Sequence, residues 1–401
     1  MSLLRRLRKP WFRRIVFFLF VGWCFLDVVR FHSLRLSTPS PSGATGAPKQ
    51  RIYIASTHWN NEQILKNHWN SAVLQLVKYF GPNDTFVSVY ESGSWDNSKA
   101  VLRELQTELK SIGVGHEIVL DKVTHEDVIA QPATHTGWIH TPRDKKELRR
   151  IPYLSKLRNI SLEPLQSLAQ QGIFFDKVLF LNDVVFTIDD VLTLLGTNDG
   201  HYAATCSLDF SRPPRFYDTF ALRDSEGHEA IMSTWPYFRS QLSRAAVKRG
   251  DPVPVSSCWN GMVFMKSEPF YSQNNALRFR GIPDTLALSH LEASECCLIH
   301  QDNPLSLTEG VFVNPLVKVG YSKLAYDTMN GPGGELSLFS YLHRTWENRL
   351  LRWATTDWFK KRVVKRRHSQ WQSSSRTRVE TGVNCLINEM QVLVGNGWAH
   401  V

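Results

Sequence analysis

"DKVLFLNDVVF", Asp176 to Phe186, decides how this chain is read. Its stretch Val178 to Leu181 is an unbroken apolar run, the pattern of a strand covered on both faces. Asn182 and Asp183 then interrupt it. A charged carboxylate inside a buried strand is costly, so the strand must leave the core at this point. In open α/β sheets ligands bind at the carboxyl ends of strands, beside a topological switch. Asp183 is therefore expected at the mouth of a cleft. The competing reading is a turn residue or a cap for the following helix, "IDDVLTLLG". Asp189 can cap that helix, which leaves Asp183 for another task. A carboxylate here suits Mg²⁺ or Mn²⁺ bridging nucleotide phosphates, since these ions take one or two carboxylate oxygens plus phosphate and water.

The surrounding pattern agrees. "RIYIAST", "TFVSVY" and "HEIVL" read as buried strands. Between them lie the amphipathic helices "NNEQILKNHWNSAVLQLVKYFG", ended by Gly81-Pro82, and "SWDNSKAVLRELQTELKSIG", with Ser94 or Asp96 as a cap and Gly113 as its stop. "PYLSKLRNISLEPLQSLAQQG" is a further helix before "DKVLFL". Strand and helix alternating in this way predict an α/β fold, a mostly parallel sheet with helices on both faces.

Ahead of this domain, "RRLRKPWFRR" precedes twelve apolar or small residues, Ile15 to Leu26. Asp27 breaks the run and Val28 and Val29 extend it. That length is marginal for a span, which needs about 20 residues, and a cleavable signal peptide is the rival. No small-x-small cleavage site follows. Arg5, Arg6, Arg8, Lys9, Arg13 and Arg14 precede the run, which keeps the N-terminus in the cytosol. The expectation is a cytosolic basic tail (1–14), a signal-anchor transmembrane helix (15–31), a flexible Ser/Thr/Pro/Gly-rich stem (32–50), a catalytic domain (51–340) and a basic, aromatic extension (341–401). This is how Golgi-type enzymes are mounted on secretory membranes.

With 42% hydrophobic and 21% charged residues, the chain can build a substantial core. Its net charge, 47 − 37 = +10, sits mainly in residues 1–14 and in "KKRVVKRRH", Lys360 to His368. No zinc-finger spacing, RNA-binding aromatic signature or basic zipper accompanies it, which argues against nucleic acid. Cys24 falls in the anchor, leaving Cys206, Cys258, Cys296, Cys297 and Cys385, an odd number in which at least one thiol stays unpaired if the rest form bridges. Of two sequons, Asn83 follows Gly81-Pro82 in a surface turn and is the expected glycosylation site. Asn159 lies in a helical pattern and is expected to stay unmodified.

"FLNDVVF", "CSLDF", "YDTFALRDSEG", "SSCWNGMVFM", "EASECCLIHQD" and "NPLVKVGY", with "NNEQIL", "SVYESGSWDNS" and "LRNISLEPL" upstream, resemble the fungal capsule-associated α-1,3-mannosyltransferase family, in order from Arg51 to Tyr321. The resemblance implies a GT-A-type nucleotide-sugar fold, type II membrane topology, GDP-mannose as donor, a mannose-containing acceptor glycan and retention of configuration. GT-A enzymes usually carry Asp-x-Asp at this strand end, whereas Leu181 stands two before Asp183. Asp209 in "SLDF" is then a second catalytic oxygen, and His300 in "LIHQD" a metal nitrogen beside Asp183.

The chemistry assigns the remaining roles. A departing nucleoside diphosphate needs a metal or basic side chains. Arg223, with the adjacent Asp224, and Arg158 are candidates for donor binding; for both arginines the alternative is a salt bridge. Asn182 joins them, as does Glu91 at the end of "SVYE", whose alternative is a solvated turn. Trp259, Asn260 and Gly261 in "CWNG" combine an aromatic plate, an amide and a turn, as acceptor-sugar sites do; for Trp259 the alternative is a core position. Glu295 in "ASECC" is the candidate group near the anomeric carbon, and covalent and front-face retention both stay open. The vicinal Cys296 and Cys297 read as core packing or as one disulfide. Trp346, Leu350, Trp353 and Trp358 fall close to helical spacing, on a helix that rests on anionic headgroups or simply packs. Transfer of another nucleotide sugar, xylose or galactose, and a non-catalytic glycan-binding protein on the same fold are the rival readings. Joint loss of Asp183, Asp209 and Arg223 would favour the last, and all three are present.

Overall fold

The computed structural model describes residues 10–36, 50–133, 136–332, 334, 336–395 and 397–401. Most of the expected basic tail (1–9) and of the stem (37–49) lies outside them.

Nine strands build the central sheet: β1 (Ile52–His58), β2 (Thr85–Glu91), β3 (Gly115–Leu120), β4 (Lys177–Leu181), β5 (Ala204–Arg212), β6 (Arg223–Asp224), β7 (Val253–Ser257), β8 (Met262–Lys266) and β9 (Val311–Gly320). Their order is β3-β2-β1-β4-β8-β5-β9-β7-β6, and Arg215–Phe216 adds a short strand to β5. The half from β3 to β4 is parallel. There β8 enters antiparallel against both β4 and β5, while β5 and β9 run parallel. The direction changes beside β4, so the polar end of "KVLFL" stands at the switch. This is the mixed, mostly parallel α/β sheet that the sequence predicts.

Period-two alternation divides the core. Tyr53, Ala55, Val178 and Phe180 face one apolar layer with Val263, Phe270 and Phe279. Ile52, Ile54, Leu179 and Leu181 face the other, which α2 (Asn70–Phe80) and α3 (Ser98–Ile112) cover with Leu76, Leu102 and Leu105, joined by Trp69 just before α2. Leu181 thus packs in the core, which explains why no first Asp of Asp-x-Asp stands there. Gly81 (φ 100°) and Gly113 (φ 79°) end α2 and α3 as expected. The expected cap of the helix after Asp183 is corrected: α5 (Ile188–Leu195) is closed by Thr187 and Asp190 in a capping box, not by Asp189.

The C-terminal part is sewn to the sheet domain. Below α4 (Arg150–Ile160), α6 (Glu295–Asp302), α7 (Leu338–Ala354) and α8 (Trp358–Ser373), the chain returns. Leu386–Ile387 pairs with Glu292–Ala293, and Cys297 bonds to Cys385. A second disulfide, Cys206–Cys258, ties β5 to the turn after β7, leaving Cys24 and Cys296 as thiols. Ahead of the domain, α1 (Pro10–Leu36) contains a 20-residue apolar stretch, Arg14–Ser33, long enough to cross a membrane. Asp27 does not end it.

Candidate active site

Asp183 emerges directly after β4. The strand end is held by three bonds: Ser56 Oγ donates to the Leu181 carbonyl (2.6 Å), Trp69 Nε1 to the Asn182 carbonyl (3.0 Å), and Asn182 N to the Gly261 carbonyl (2.9 Å). Trp69 closes a π-helical turn, Leu65–Trp69, that leads into α2; such turns often mark functional sites. Asn61 completes the frame. Its side-chain oxygen accepts from Trp59 N (2.9 Å), and its Nδ2 donates to Asp183 Oδ2 (2.7 Å).

Asp209 comes from β5 and is fully buried. Its Oδ1 accepts from Asn260 Nδ2 and Asp218 N (both 3.2 Å), and its Oδ2 from the Tyr321 hydroxyl (3.0 Å). Asn260 Nδ2 also donates to the Asp218 carbonyl (2.8 Å), closing the loop of Asp218 onto the sheet. This close packing needs a glycine next in line. Gly261 has φ 84°, and a Cβ there would stand 2.4 Å from Val319 Cγ2 and 3.2 Å from Asp209 Cβ.

Three carboxyls therefore share one site at the sheet's carboxyl end. Burial pushes the Asp183 carboxyl up to about 6, with the Asp209 charge adding to it and Arg158 opposing it. Asp209 is raised by burial, and Asp218 by burial and then by Asp209. The cation whose charge acts on Asp183 is Arg158, at the end of α4. Its Nε donates to Glu295 Oε1 (3.1 Å), and its guanidinium lies 4.7 Å over the Trp259 ring. Glu295 opens α6, capped by Ser294, and is buried.

The fold thus brings together Asp183, Asn182, Asp209, Asn260, Gly261, Arg158 and Glu295. Other expectations are corrected. Arg223 is buried with its donors on the carbonyls of Phe220, Leu222, Asn384 and Cys385, so it clamps the C-terminal segment instead of facing a diphosphate. Asp224 accepts from the backbone N–H groups of Glu226, His228 and Ser240 and organises that turn. Glu91 is fully buried, accepting from Ser94 N and pairing with Lys99 (3.2 Å), and is no solvated turn residue. Trp259 is 1% exposed, packed on Phe180 and Phe279, so its ring backs Arg158 and offers no open face to a sugar.

His300 is corrected as well. Burial lowers its pKa to about 4, and its Nε2 donates to the Cys258 carbonyl (2.7 Å). Its neighbours with metal-ligating atoms, Cys206 and Cys258, are joined in a disulfide and supply no thiolate. Asn83 is exposed in the turn after α2, whereas the Asn159 amide is spent on the Phe279 backbone.

The sequence reading missed Asn61, Asp218 and Tyr321, though each lies inside a motif it quoted: "NNEQIL", "YDTF" and "VGY". It also missed an aromatic group beyond the ends of β1 and β2. Trp59 stacks on His125 (4.4 Å, 9°) and meets Trp95 edge-on (5.3 Å), and neither ring nitrogen of His125 has a partner among the described residues.

A family model described as Cryptococcal mannosyltransferase 1 matches residues 51–302. No curated protein matches the chain. Among solved structures it is similar to the mannosyltransferase PcManGT from Pyrobaculum calidifontis in complex with GDP-Man and Mn²⁺, at 10% identity over 90% of this chain and 86% of that one, TM-score 0.36. S. aureus TarS 1–349 is 11% identical over 82% of this chain and 73% of that one, TM-score 0.36. GalNAc-T7 with UDP, GalNAc and Mn²⁺ is 13% identical over 68% of this chain and 43% of that one, TM-score 0.38.

Proposed function

The chain belongs to the cryptococcal mannosyltransferase 1 family of glycosyltransferases, and on that footing we propose that it moves mannose from GDP-mannose to an α-mannoside acceptor, with retention and formation of an α-1,3 linkage. The observation that carries this reading is the carboxyl cluster of fully buried Asp209 with half-buried Asp183 and Asp218, beside Arg158. Carboxyls pushed up by burial and mutual repulsion gain most from a cation, and their oxygens suit Mn²⁺ or Mg²⁺. Asp183, aimed by Asn61, would hold the ion; Asp209 is already committed to three hydrogen bonds and shapes the site instead. When bound, the ion would neutralise charge on the departing diphosphate.

This chain's own residues do the rest. Arg158, held flat on Trp259 by Glu295, presents a fixed positive charge to the leaving group. Glu295 is ion-paired and so a weak nucleophile, which favours front-face transfer over a covalent intermediate. Trp59, Trp95 and His125 form a stacking surface suited to the donor's base. The six cations before the apolar run at Ile15 and the exposed Asn83 turn support a type II protein with its catalytic domain in the lumen of the Golgi or another secretory membrane.

Incubating the protein with GDP-mannose, UDP-xylose and UDP-galactose, each with α-mannobiose and with or without Mn²⁺, tests the reading. Metal-dependent elongation from GDP-mannose is expected. Elongation from a UDP-sugar alone would replace the donor, and binding without transfer from any of them would favour a glycan-binding protein.

A further inference from the structure

Trp259, expected as the aromatic plate of the acceptor site, is buried and offers a sugar no open face. Tyr217 does offer one. It follows the short strand Arg215–Phe216, which pairs with β5 at Phe210 and Arg212. Phe216 is buried against Tyr237 (5.0 Å between ring centroids), so strand alternation turns Tyr217 to the opposite face. There it is 61% exposed. Its ring meets Tyr321 edge-on (4.9 Å, 62°), whose hydroxyl donates to Asp209 Oδ2 (3.0 Å). Its backbone N–H donates to the Asp209 carbonyl (2.9 Å). Ring and backbone both tie Tyr217 to the buried carboxyl of the cluster.

The next residue supplies a polar partner. Asp218 Oδ1 accepts from Phe220 N (3.0 Å) and Ala221 N (3.4 Å), while Oδ2 has no hydrogen bond among the described residues. An open carboxyl oxygen thus stands beside an open aromatic ring. Sugars are held by that pair: their C–H faces lie on the ring and their hydroxyls donate to the carboxylate. A single exposed aromatic residue is ordinary and needs no function. Tyr217 differs because Asp209 and Tyr321 hold it at the rim of the carboxyl cluster, and a ring already fixed loses little freedom when a ligand binds.

Its place in the sheet suits the acceptor and not the donor. Trp59 and Trp95, the surface suited to the donor's base, lie beyond β1 and β2. In the order β1-β4-β8-β5, three strand spacings separate β1 from β5, about 14 Å, with Asp183 at the end of β4 between them. A donor laid with its base at Trp59 and its diphosphate at Asp183 runs toward β5, which leaves the Tyr217 side for the second substrate. Resting on the proposed transfer to an α-mannoside, we infer that Tyr217 is the platform on which the acceptor sugar stacks.

The full chain, as wild type, Tyr217→Ala and Tyr217→Phe, is assayed with GDP-mannose, Mn²⁺ and varied α-mannobiose. Tyr217→Ala should raise the acceptor KM at least about fivefold, with the KM for GDP-mannose within about twofold of the wild type. Tyr217→Phe keeps the ring and should recover most of that loss. An acceptor KM unmoved by Tyr217→Ala overturns the inference and leaves the transfer standing. An equal rise in both KM values also overturns it, since Tyr217 would then only support the cluster. A loss as large in Tyr217→Phe as in Tyr217→Ala contradicts stacking, because only the hydroxyl is gone. If the wild type transfers nothing from GDP-mannose, the proposed function fails, and saturation-transfer NMR of α-mannobiose decides the platform separately. A signal present in the wild type and lost in Tyr217→Ala upholds it; a signal that Tyr217→Ala keeps, or none at all, removes it.

Discussion

Arg158 and Glu295 form an ion pair whose charge acts on the Asp183 carboxyl: Nε donates to Oε1 at 3.1 Å, while the guanidinium lies 4.7 Å above Trp259. The pair joins the end of α4 to the first residue of α6, so two distant segments are aligned over the sheet's carboxyl end. Its geometry fixes where a positive charge stands, which is what stabilising a departing diphosphate requires.

Glu295→Gln keeps a hydrogen bond to Arg158 but removes the charge. Losing a charge-assisted bond costs about 1.5–3 kcal/mol of stability, so the melting temperature should fall, and turnover per folded molecule should fall about 10- to 100-fold as Arg158 loses its fixed position. Steady-state kinetics on GDP-mannose check this. If Glu295 were instead the nucleophile, azide would rescue Glu295→Ala and give a mannosyl azide; that product would contradict the positioning role.

The Asp183 carboxyl takes up its proton at about pH 6 in the folded protein, against about 4 in an unfolded chain. The folded state therefore binds more protons between those values. Its contribution to stability is complete below about pH 4 and is lost as pH rises through about 6. Melting curves without metal should show a smaller loss in Asp183→Asn than in the wild type, because Asp209 and Asp218, also raised, still contribute. Stabilisation by Mn²⁺ should grow over the same window, because only the ionised carboxylate binds the ion. A metal effect that is flat from pH 5 to 8 would disconnect Asp183 from the cation.

Which parts of this were legible beforehand follows from how far each signal reaches along the chain. Strands β1 to β4 and helices α2 and α3 were readable because apolar period, Gly81 and Gly113 act locally, whereas the one helix expected before β4 is two, Arg150–Ile160 and Glu163–Gln170. Asp183 was readable because a carboxylate ending a buried strand has few explanations. Arg223 and Trp259 were not. An arginine aimed at a phosphate and one aimed at the carbonyls of Asn384 and Cys385 look alike in sequence, since the partners lie more than 160 residues away. An exposed plate and a core ring are likewise both simply Trp. The disulfide partners of Cys206 and Cys297 were hidden for the same reason, 52 and 88 residues distant.

Cys297–Cys385 closes that 88-residue loop and sits beside the Arg223 clamp. Cys385→Ser should lower stability by about 4 kcal/mol and expose the segment after α8 to limited proteolysis. Denatured, unreduced protein should titrate two thiols, those of Cys24 and Cys296. Four or more would contradict the pairing.

If the catalytic domain is luminal, Asn83→Gln should remove one glycan-sized step on a gel, and protease added to sealed microsomes should spare everything after the stem. Digestion without detergent would place the domain in the cytosol.

Asp183 serves chemistry and not local structure, and Asp183→Asn separates the two. The amide keeps shape and volume at the strand end but removes the charge. Mannose transfer from GDP-mannose and the melting temperature are measured on one preparation. The account predicts near-normal melting, loss of the metal-dependent part of GDP binding, and transfer lowered by at least about 10²–10³, roughly 3–4 kcal/mol. A lowered melting temperature with normal turnover per folded molecule would contradict it and make Asp183 a structural residue.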